Sequence, residues 1–323
     1  MNIDVGFAGE FRCVVTSVDG TIKSDTGFQK NLILDNGLDY LGVIFHTEML
    51  DLCAVGSGSS TPTKSQLKLD SLEALAGKGS VVDYDYGYSE STGDFYKTSA
   101  TAVYSFTTLT NANVTEVGLL GKYTSETNYE MCTRALIKDS LGNPTSISVL
   151  EGEVLNVYYK LWQVFSTVDN TGQINILDGK GGGSPVAYNY IARLGNVGNG
   201  SYYGVGVGKR FSFDPYGIYS GIFTGDMGVL AAAPSTSLVT ASTFEESTYV
   251  KGTFTKVMTL KYDINQVFDV RGVVISGGPS KGLGYWQIRF GSVADDSPII
   301  KTNKEKLEIP VQVSWGRYEG ALE

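Results

Sequence analysis

Apolar and polar residues alternate in two stretches, one near the middle of the chain and one near its end. In Glu153–Leu161 and again in Lys306–Ser314, every second residue is apolar. This period of two, with β-branched and aromatic residues, is typical of a strand with one buried face. The predicted buried faces are Leu155, Val157, Tyr159 and Leu161 in the first strand and Leu307, Ile309, Val311 and Val313 in the second. Pro310 cannot donate a backbone hydrogen bond, so the second strand should be an edge strand or turn that position away from its neighbour.

The spacing between these two strands recurs elsewhere, which predicts an internal duplication. Leu307 follows Leu155 by 152 residues (307 minus 155). Offsets of 153 or 154 residues relate further pairs: Thr115–Leu120 and Phe268–Val273, Val103–Phe106 and Val257–Leu260, Arg134–Ile137 and Gln287–Phe290, and Pro62 and Pro215. The alternative is that any two β-sandwich halves show similar alternation.

The predicted fold is all-β, with two tandem β-sandwich domains and one short helix in the first. The first domain is predicted at residues 1–166, a Gly-rich linker at 167–184 and the second domain at 185–323. Within the first domain, Asp19-Gly20 predicts a hairpin turn, and the strands from Ala100 to Phe165 are predicted to form a β-meander. Helical spacing predicts the helix, with Leu38, Leu41 and Phe45 following a capping Asp35 or Asn36.

The amino-acid composition indicates which classes of binding partner suit this chain. The 323 residues carry a net charge of −9, which disfavours nucleic acid and anionic membranes as partners. Only 18% of the residues are charged, which suits a β-structure partly covered by neighbours. No apolar run approaches the ~20 residues that cross a bilayer, and no export signal is recognisable, so the chain is expected to be made in a cytoplasm. Cys13, Cys53 and Cys132 are expected to be buried free thiols.

Residues for catalysis are scarce, so no enzymatic activity, cofactor, metal or small-molecule substrate is predicted. His46 is the only histidine, which excludes histidine triads and histidine-ligated zinc. The loop Gly56–Pro62 resembles a phosphate cradle in composition but lacks the Lys-Ser/Thr ending of a P-loop. Four carboxylate pairs are candidates for glycoside hydrolysis or calcium binding: Asp83/Asp85, Glu151/Glu153, Glu245/Glu246 and Asp295/Asp296. Their positions at strand ends and loops favour solvated charges instead, and Asp83/Asp85 is the best calcium candidate.

Tyrosines supply the candidate contact surface. Tyr84, Tyr86 and Tyr88 alternate in one stretch that is predicted to be a hairpin or a loop, and Tyr202 and Tyr203 follow a Gly-rich stretch in the second half. Tyrosine is enriched at binding interfaces because its ring is large and amphipathic. An exposed cross-strand ladder would produce the same pattern. Trp286 and these tyrosines could also stack on sugar rings.

In the first half, a series of motifs resembles a family of tailed-bacteriophage virion proteins found among tail, baseplate and head-tail components. The motifs, in chain order, are Asn36–Leu41, Ala54–Thr63, Glu116–Leu120, Cys132–Leu136 and Gly152–Leu161. The resemblance covers roughly residues 30–162 and implies a β-rich structural subunit without enzymatic activity. The second half departs from the pattern, because Arg271 stands where the first half has Gly118 at an offset of 153 residues.

The sequence therefore favours a structural subunit of a phage particle, located in the virion and present in several copies. Its expected partners are copies of itself and other virion proteins, with no nucleic acid and no membrane. The alternative is a receptor- or carbohydrate-binding β-sandwich protein of the virion. A glycosidase is the third hypothesis, and it would need two opposed carboxylates about 5–9 Å apart.

Overall fold

The computed structural model describes residues 1–42, 52–77, 79, 81–87, 95–122, 129–177, 185–195, 219–230, 232, 234, 239–240, 243–276 and 285–322. These residues form an all-β fold with one short helix, as predicted. The helix α1 (Asp35–Gly42) begins at the predicted capping residue and buries Leu38 and Leu41, whereas Phe45 lies outside the described residues. At eight residues it is too short to cross a membrane, and the described part of the chain contains no helix that could.

The described residues also form twenty-three strands. Those of the first half are β1 (Asn2–Thr16), β2 (Ile22–Asp25), β3 (Gln29–Ile33), β4 (Leu52–Gly56), β5 (Leu72–Gly77), β6 (Val81–Gly87), β7 (Phe95–Phe106), β8 (Ala112–Val114), β9 (Glu116–Lys122), β10 (Tyr129–Leu136), β11 (Ile147–Val149) and β12 (Val154–Ser166). Those of the second half are β13 (Asn170–Ile176), β14 (Val186–Leu194), β15 (Tyr219–Phe223), β16 (Val239–Thr240), β17 (Thr243–Glu246), β18 (Thr255–Tyr262), β19 (Phe268–Val270), β20 (Gly272–Ser276), β21 (Tyr285–Ser292), β22 (Ile299–Lys301) and β23 (Leu307–Arg317).

The strands of the first half pair in a nested order. β7 pairs with β12, β8 with β11 and β9 with β10, all antiparallel, so each pair encloses the next along the chain. The predicted meander is therefore wrong, because in a meander each strand pairs with the one that follows it. Alternation of apolar residues shows which face of a strand is buried, but it carries no information about which strand lies beside it.

The second half repeats these pairings in the same chain order. β18 pairs with β23, β19 with β22 and β20 with β21, again all antiparallel. Each set of three pairs is extended in the same way: β4 pairs with β9 and β5 with β4, as β15 pairs with β20 and β16 with β15. The register also agrees: Phe106 faces Leu155, and 154 residues later (260 minus 106) Leu260 faces Ile309.

This register corrects the predicted alignment in two places. Leu155 corresponds to Ile309 and not to Leu307, a shift of two residues that keeps the same buried face. Thr115 corresponds to Arg271, because their carbonyl oxygens accept equivalent hydrogen bonds. The amide of Ile137 donates to Thr115 O, and the amide of Phe290 donates to Arg271 O. Arg271 therefore does not replace Gly118. The matched pairings are what a duplication predicts, and a common origin of the two halves stays a prediction.

β1 joins the two halves into one sheet. It lies antiparallel to β12, from Val5 opposite Phe165 to Thr16 opposite Val154, and parallel to β23, from Asn2 opposite Gln312 to Phe7 opposite Arg317. β23 is therefore not an edge strand throughout. The amide of Gln312 donates to Met1 O, so the backbone N–H and C=O groups of even-numbered residues in β23 point towards β1. The nitrogen of Pro310 points to the same side, at a position that β1 does not reach. The position where Pro310 lacks an N–H group therefore points away from β18. This is the second predicted alternative, in which the strand turns that position away from its neighbour.

A single cluster of buried apolar side chains includes residues from both halves, among them Phe11, Leu155, Ile288 and Val311. The boundaries at 166 and 185 stay predictions, but the segment 167–184 is not wholly a linker. It contains β13, which pairs along its full length with β14. The prediction was wrong there because it followed the glycines, which are five of the eighteen residues, although Ile174 and Ile176 already show strand alternation.

The three cysteines are buried and free, as expected. Burial raises the pKa of the Cys13 thiol to about 12 and also raises that of Cys53. We expect the folded protein to resist iodoacetamide at pH 8, because the reactive thiolate is scarce and the sulfur is covered. Mass spectrometry should find no modification before denaturation and three alkylated cysteines after it. Rapid alkylation of the folded chain would contradict this burial.

An ion pair next to the β1–β2 hairpin makes stability depend on pH. Arg12 Nε donates to Asp25 Oδ1 at 2.8 Å, and this hydrogen bond lowers the pKa of Asp25 from 3.8 to about 2. Because the folded-state pKa is the lower one, the pair stabilises the fold above pH 3.8, and this contribution is lost as the pH falls towards 2. Asp25→Asn should therefore flatten the fall of the urea midpoint over this range. An unchanged pH dependence would show that the pair contributes nothing.

Candidate functional site

The predicted tyrosine surface lies largely outside the described residues. Tyr84 and Tyr86 fall in β6, whose backbone pairs with β7 opposite Ala100 and Thr98. Their side chains are outside the described part of the chain, as are Tyr88, Tyr202 and Tyr203. The contact surface therefore stays a prediction. Trp286, in contrast, is only 4% exposed within the main core, so it cannot stack on a sugar as the sequence suggested.

The Gly-Ser loop after β4 is held by a carboxylate of the same chain. Glu116 is fully buried, and its Oε1 accepts hydrogen bonds from the backbone amides of Gly58 and Ser71, each at 3.0 Å. The amide of Asp70 donates to its Oε2 at 3.3 Å. Backbone amides converging on one point are the donors that would hold a phosphate. Here Glu116 occupies them, so the loop is not a phosphate cradle.

Arg134 completes this arrangement from the neighbouring strand β10. Its side chain is fully buried, with Nε 2.8 Å from Glu116 Oε2 and an Nη2 2.9 Å from Asp70 Oδ2. Its other Nη donates to Ser60 Oγ at 3.2 Å. Hydrogen bonds from Ser60, followed by the positive charge of Arg134, lower the pKa of Asp70. We call Glu116, Arg134, Asp70 and Ser60 the loop clamp.

The loop clamp brings together three of the stretches that carry the virion resemblance. Ala54–Thr63 supplies Ser60 and the loop, Glu116–Leu120 supplies the carboxylate and Cys132–Leu136 supplies the guanidinium. Nothing in the sequence pattern predicted this contact. The available signal was a charged residue directly beside apolar residues in each of two strands, Glu116 before Val117 and Arg134 before Ala135, because such charges are buried only when they are paired.

The second half has a neutral counterpart of Arg134. Gln287 lies 153 residues later (287 minus 134), opposite Val274 as Arg134 is opposite Gly118, and it is also fully buried. Its amide accepts from Gly228 N at 2.8 Å and donates to the carbonyls of Gly228 and Ala232 at 3.0 and 3.1 Å. Both halves therefore use a buried polar side chain at the same sheet position to hold a loop.

Four members of the carboxylate pairs, Glu153, Glu245, Glu246 and Asp296, face cations. Glu245 lies 2.7 Å from Lys261 Nζ and Glu246 lies 2.9 Å from Lys256 Nζ, on opposite sides of β17. Glu153 accepts from Lys23 Nζ at 2.7 Å, and its pKa is lowered first by the hydrogen bond from Leu150 N. Asp296 pairs with Arg289. Within the described ranges no group of three metal-ligating side chains occurs, and the side chains of Asp83 and Asp85 lie outside those ranges.

A groove of about 470 Å³ lies where β3 leaves β1 and joins β10. Its charged lining residues include Arg134, which belongs to the loop clamp, and Arg317, whose Nε donates to Ile33 O. Glu319 is the one carboxylate among the described residues that line it. The groove therefore does not present the two opposed carboxylates that a glycosidase requires.

Open sheet edges are the main interaction feature of the described structure. The thirteen-stranded sheet ends in β17 and β5, with β6 as a further edge beyond β7. The six-stranded sheet ends in β13 and β16. An edge strand exposes a row of unpaired backbone donors and acceptors, and another chain can pair with it.

No family model matches this chain, and neither a curated protein nor a solved structure matches it. The assignment of a function therefore rests on the residues and the geometry described above.

Proposed function

We propose that this chain is a structural subunit of a tailed-phage particle, in the tail, baseplate or head-tail region, and acts through protein contacts in a multi-copy assembly. The observation that carries the proposal is the set of open sheet edges, which can join subunits through main-chain hydrogen bonds. The virion assignment itself comes from the sequence resemblance in residues 30–162. Copies of the chain and other virion proteins are the partners that this proposal implies.

The contacts of the buried charged side chains support the same proposal. Arg134 and Glu116 form a fully buried ion pair, and both also bond to the Gly-Ser loop. An ion pair bonded in this way rigidifies the loop. Its hydrogen-bond donors and acceptors are used within the protein and not for binding a substrate. The three motif stretches that meet in the loop clamp thus serve as scaffold, as expected of a structural subunit.

The test is to purify particles from a lysate that contains the chain and to quantify their proteins by mass spectrometry. We expect the chain to co-sediment with the particles through a density gradient at a constant ratio to the major capsid protein. Recovery of the chain only in the fractions without particles would overturn the proposal. If the chain does co-sediment with particles, electron microscopy with an antibody against it would locate it in the tail, the baseplate or the head-tail region.

A further inference from the structure

β13 is an open edge with an unusual composition. Its seven residues, Asn170–Ile176, pair with β14 from Asn170 opposite Ala192 to Ile176 opposite Val186. No strand of the described chain pairs with its other side. At about 3.3 Å per residue, this edge presents roughly 23 Å of unpaired backbone.

The other edges of the described chain are short or carry charges. β17 has Glu245 and Glu246 in four residues, and β6 has Asp83 and Asp85 in seven. β5 has Glu73, and β16 is only two residues long. Charges, prolines and short length are the features that keep natural edge strands from pairing with other chains. β13 reads Asn-Thr-Gly-Gln-Ile-Asn-Ile and has none of them.

The two faces of β13 differ. Ile174 and Ile176 are partly buried and pack against the main core, whereas Thr171, Gln173 and Asn175 are exposed. On the core side, the ring of Tyr190 lies over Gly172, where an added Cβ would come within 2.8 Å of the ring. The edge thus combines a row of uncharged polar groups with a row that is apolar at Ile174 and Ile176 and begins with Asn170, whose Nδ2 donates to Asn2 O.

We propose that β13 pairs antiparallel with β13 of a second copy of this chain, around a two-fold axis at Gln173. This register places residues whose numbers sum to 346 opposite one another, so Ile174 faces Gly172 of the second copy and contacts the Tyr190 ring that covers it. The axis is perpendicular to the sheet, so each row meets the same row of the second copy, and on the core side Ile176 faces Asn170.

The polar row is self-complementary. Gln173 faces Gln173 of the second copy, and Thr171 faces its Asn175. Amide and hydroxyl groups both donate and accept, so each can bond to its own kind, and no like charges are opposed. A second copy fits this edge better than a charged partner strand would. The pairing deepens the proposed function, on which it rests, by naming one contact of the multi-copy assembly.

The test is charge exchange at Gln173, whose exposed side chain permits substitution without loss of the fold. The wild-type chain should form dimers in sedimentation velocity. Gln173→Lys and Gln173→Glu should each raise the dimer dissociation constant at least tenfold, because like charges then face each other across the axis. An equimolar mixture of the two variants should restore the dimer. Thr243→Lys adds the same charge to an exposed position on β17 and should leave the dimer unchanged.

Several outcomes would overturn the pairing: a monomeric wild-type chain, a dimer insensitive to both charges, or no dimer from the mixed variants although circular dichroism shows each folded. Binding of β13 by a different protein while the purified chain stays monomeric would also overturn it. Particles that incorporate Gln173→Lys normally would refute the pairing and leave the proposed function. A Gln173-dependent dimer of a chain that is absent from particles would refute the proposed function and leave the pairing.

Discussion

Replacing Arg134 with alanine should destabilise the protein by ~3–5 kcal/mol, because it leaves the fully buried carboxylate of Glu116 without its counter-charge. The truncation also removes the hydrogen bonds to Asp70 and Ser60 that hold the Gly-Ser loop. Urea denaturation would measure the loss. Hydrogen exchange should show faster exchange at the amides of Gly58 and Ser71, which donate to Glu116.

Two control variants test whether the loss of stability in Arg134→Ala comes from leaving a buried charge unpaired. Arg12→Ala breaks the half-exposed pair with Asp25 and should cost only ~0–1 kcal/mol. The double variant Glu116→Gln with Arg134→Met removes both charges, keeps an acceptor for the loop amides and should cost less than Arg134→Ala alone. A double variant that is less stable than Arg134→Ala would contradict the account of an unpaired buried charge.

Leu155→Ala should destabilise the protein by ~2–5 kcal/mol, because it removes a fully buried side chain and leaves a cavity in the main core. The residue lies on β12 opposite Phe106, next to the strand β1 that joins the two halves. The thermal midpoint and the urea midpoint should both fall. Ile309→Ala, at the corresponding position of β23, should have an effect of the same order.

Asn156→Ala is the matched control on the other face of β12. Asn156 Oδ1 accepts from Ser105 Oγ at 2.7 Å in an exposed contact, so its loss should cost no more than ~1 kcal/mol. Equal effects of Leu155→Ala and Asn156→Ala would show that both faces are buried or that the assigned faces are reversed.

Much of the local structure could be predicted from the sequence. The alternation in Glu153–Leu161 marks β12 and its buried face, and Asp35 marks the start of α1. Odd cysteine number and spacing correctly indicated free thiols. These features depend on residues close together in the chain, and their periodicity reflects the geometry of one strand or one helical turn. The recurring spacing matched β12 with β23, which hold the same place in the two sets of pairings, but it was two residues out of register there, and the duplication itself stays a prediction.

Only the tertiary structure decided which strands are neighbours and what covers them. Backbone hydrogen bonds are the same for every residue, so alternation could not show the nested pairing or the position of β1 between β12 and β23. Trp162 and Val164 continue the outer face of β12, yet they are buried because Leu322 packs there. Glu116 and Arg134 meet because β9 and β10 pair. Sequence periodicity describes one strand at a time, whereas burial of its second face and pairing of its charges depend on segments distant in the chain.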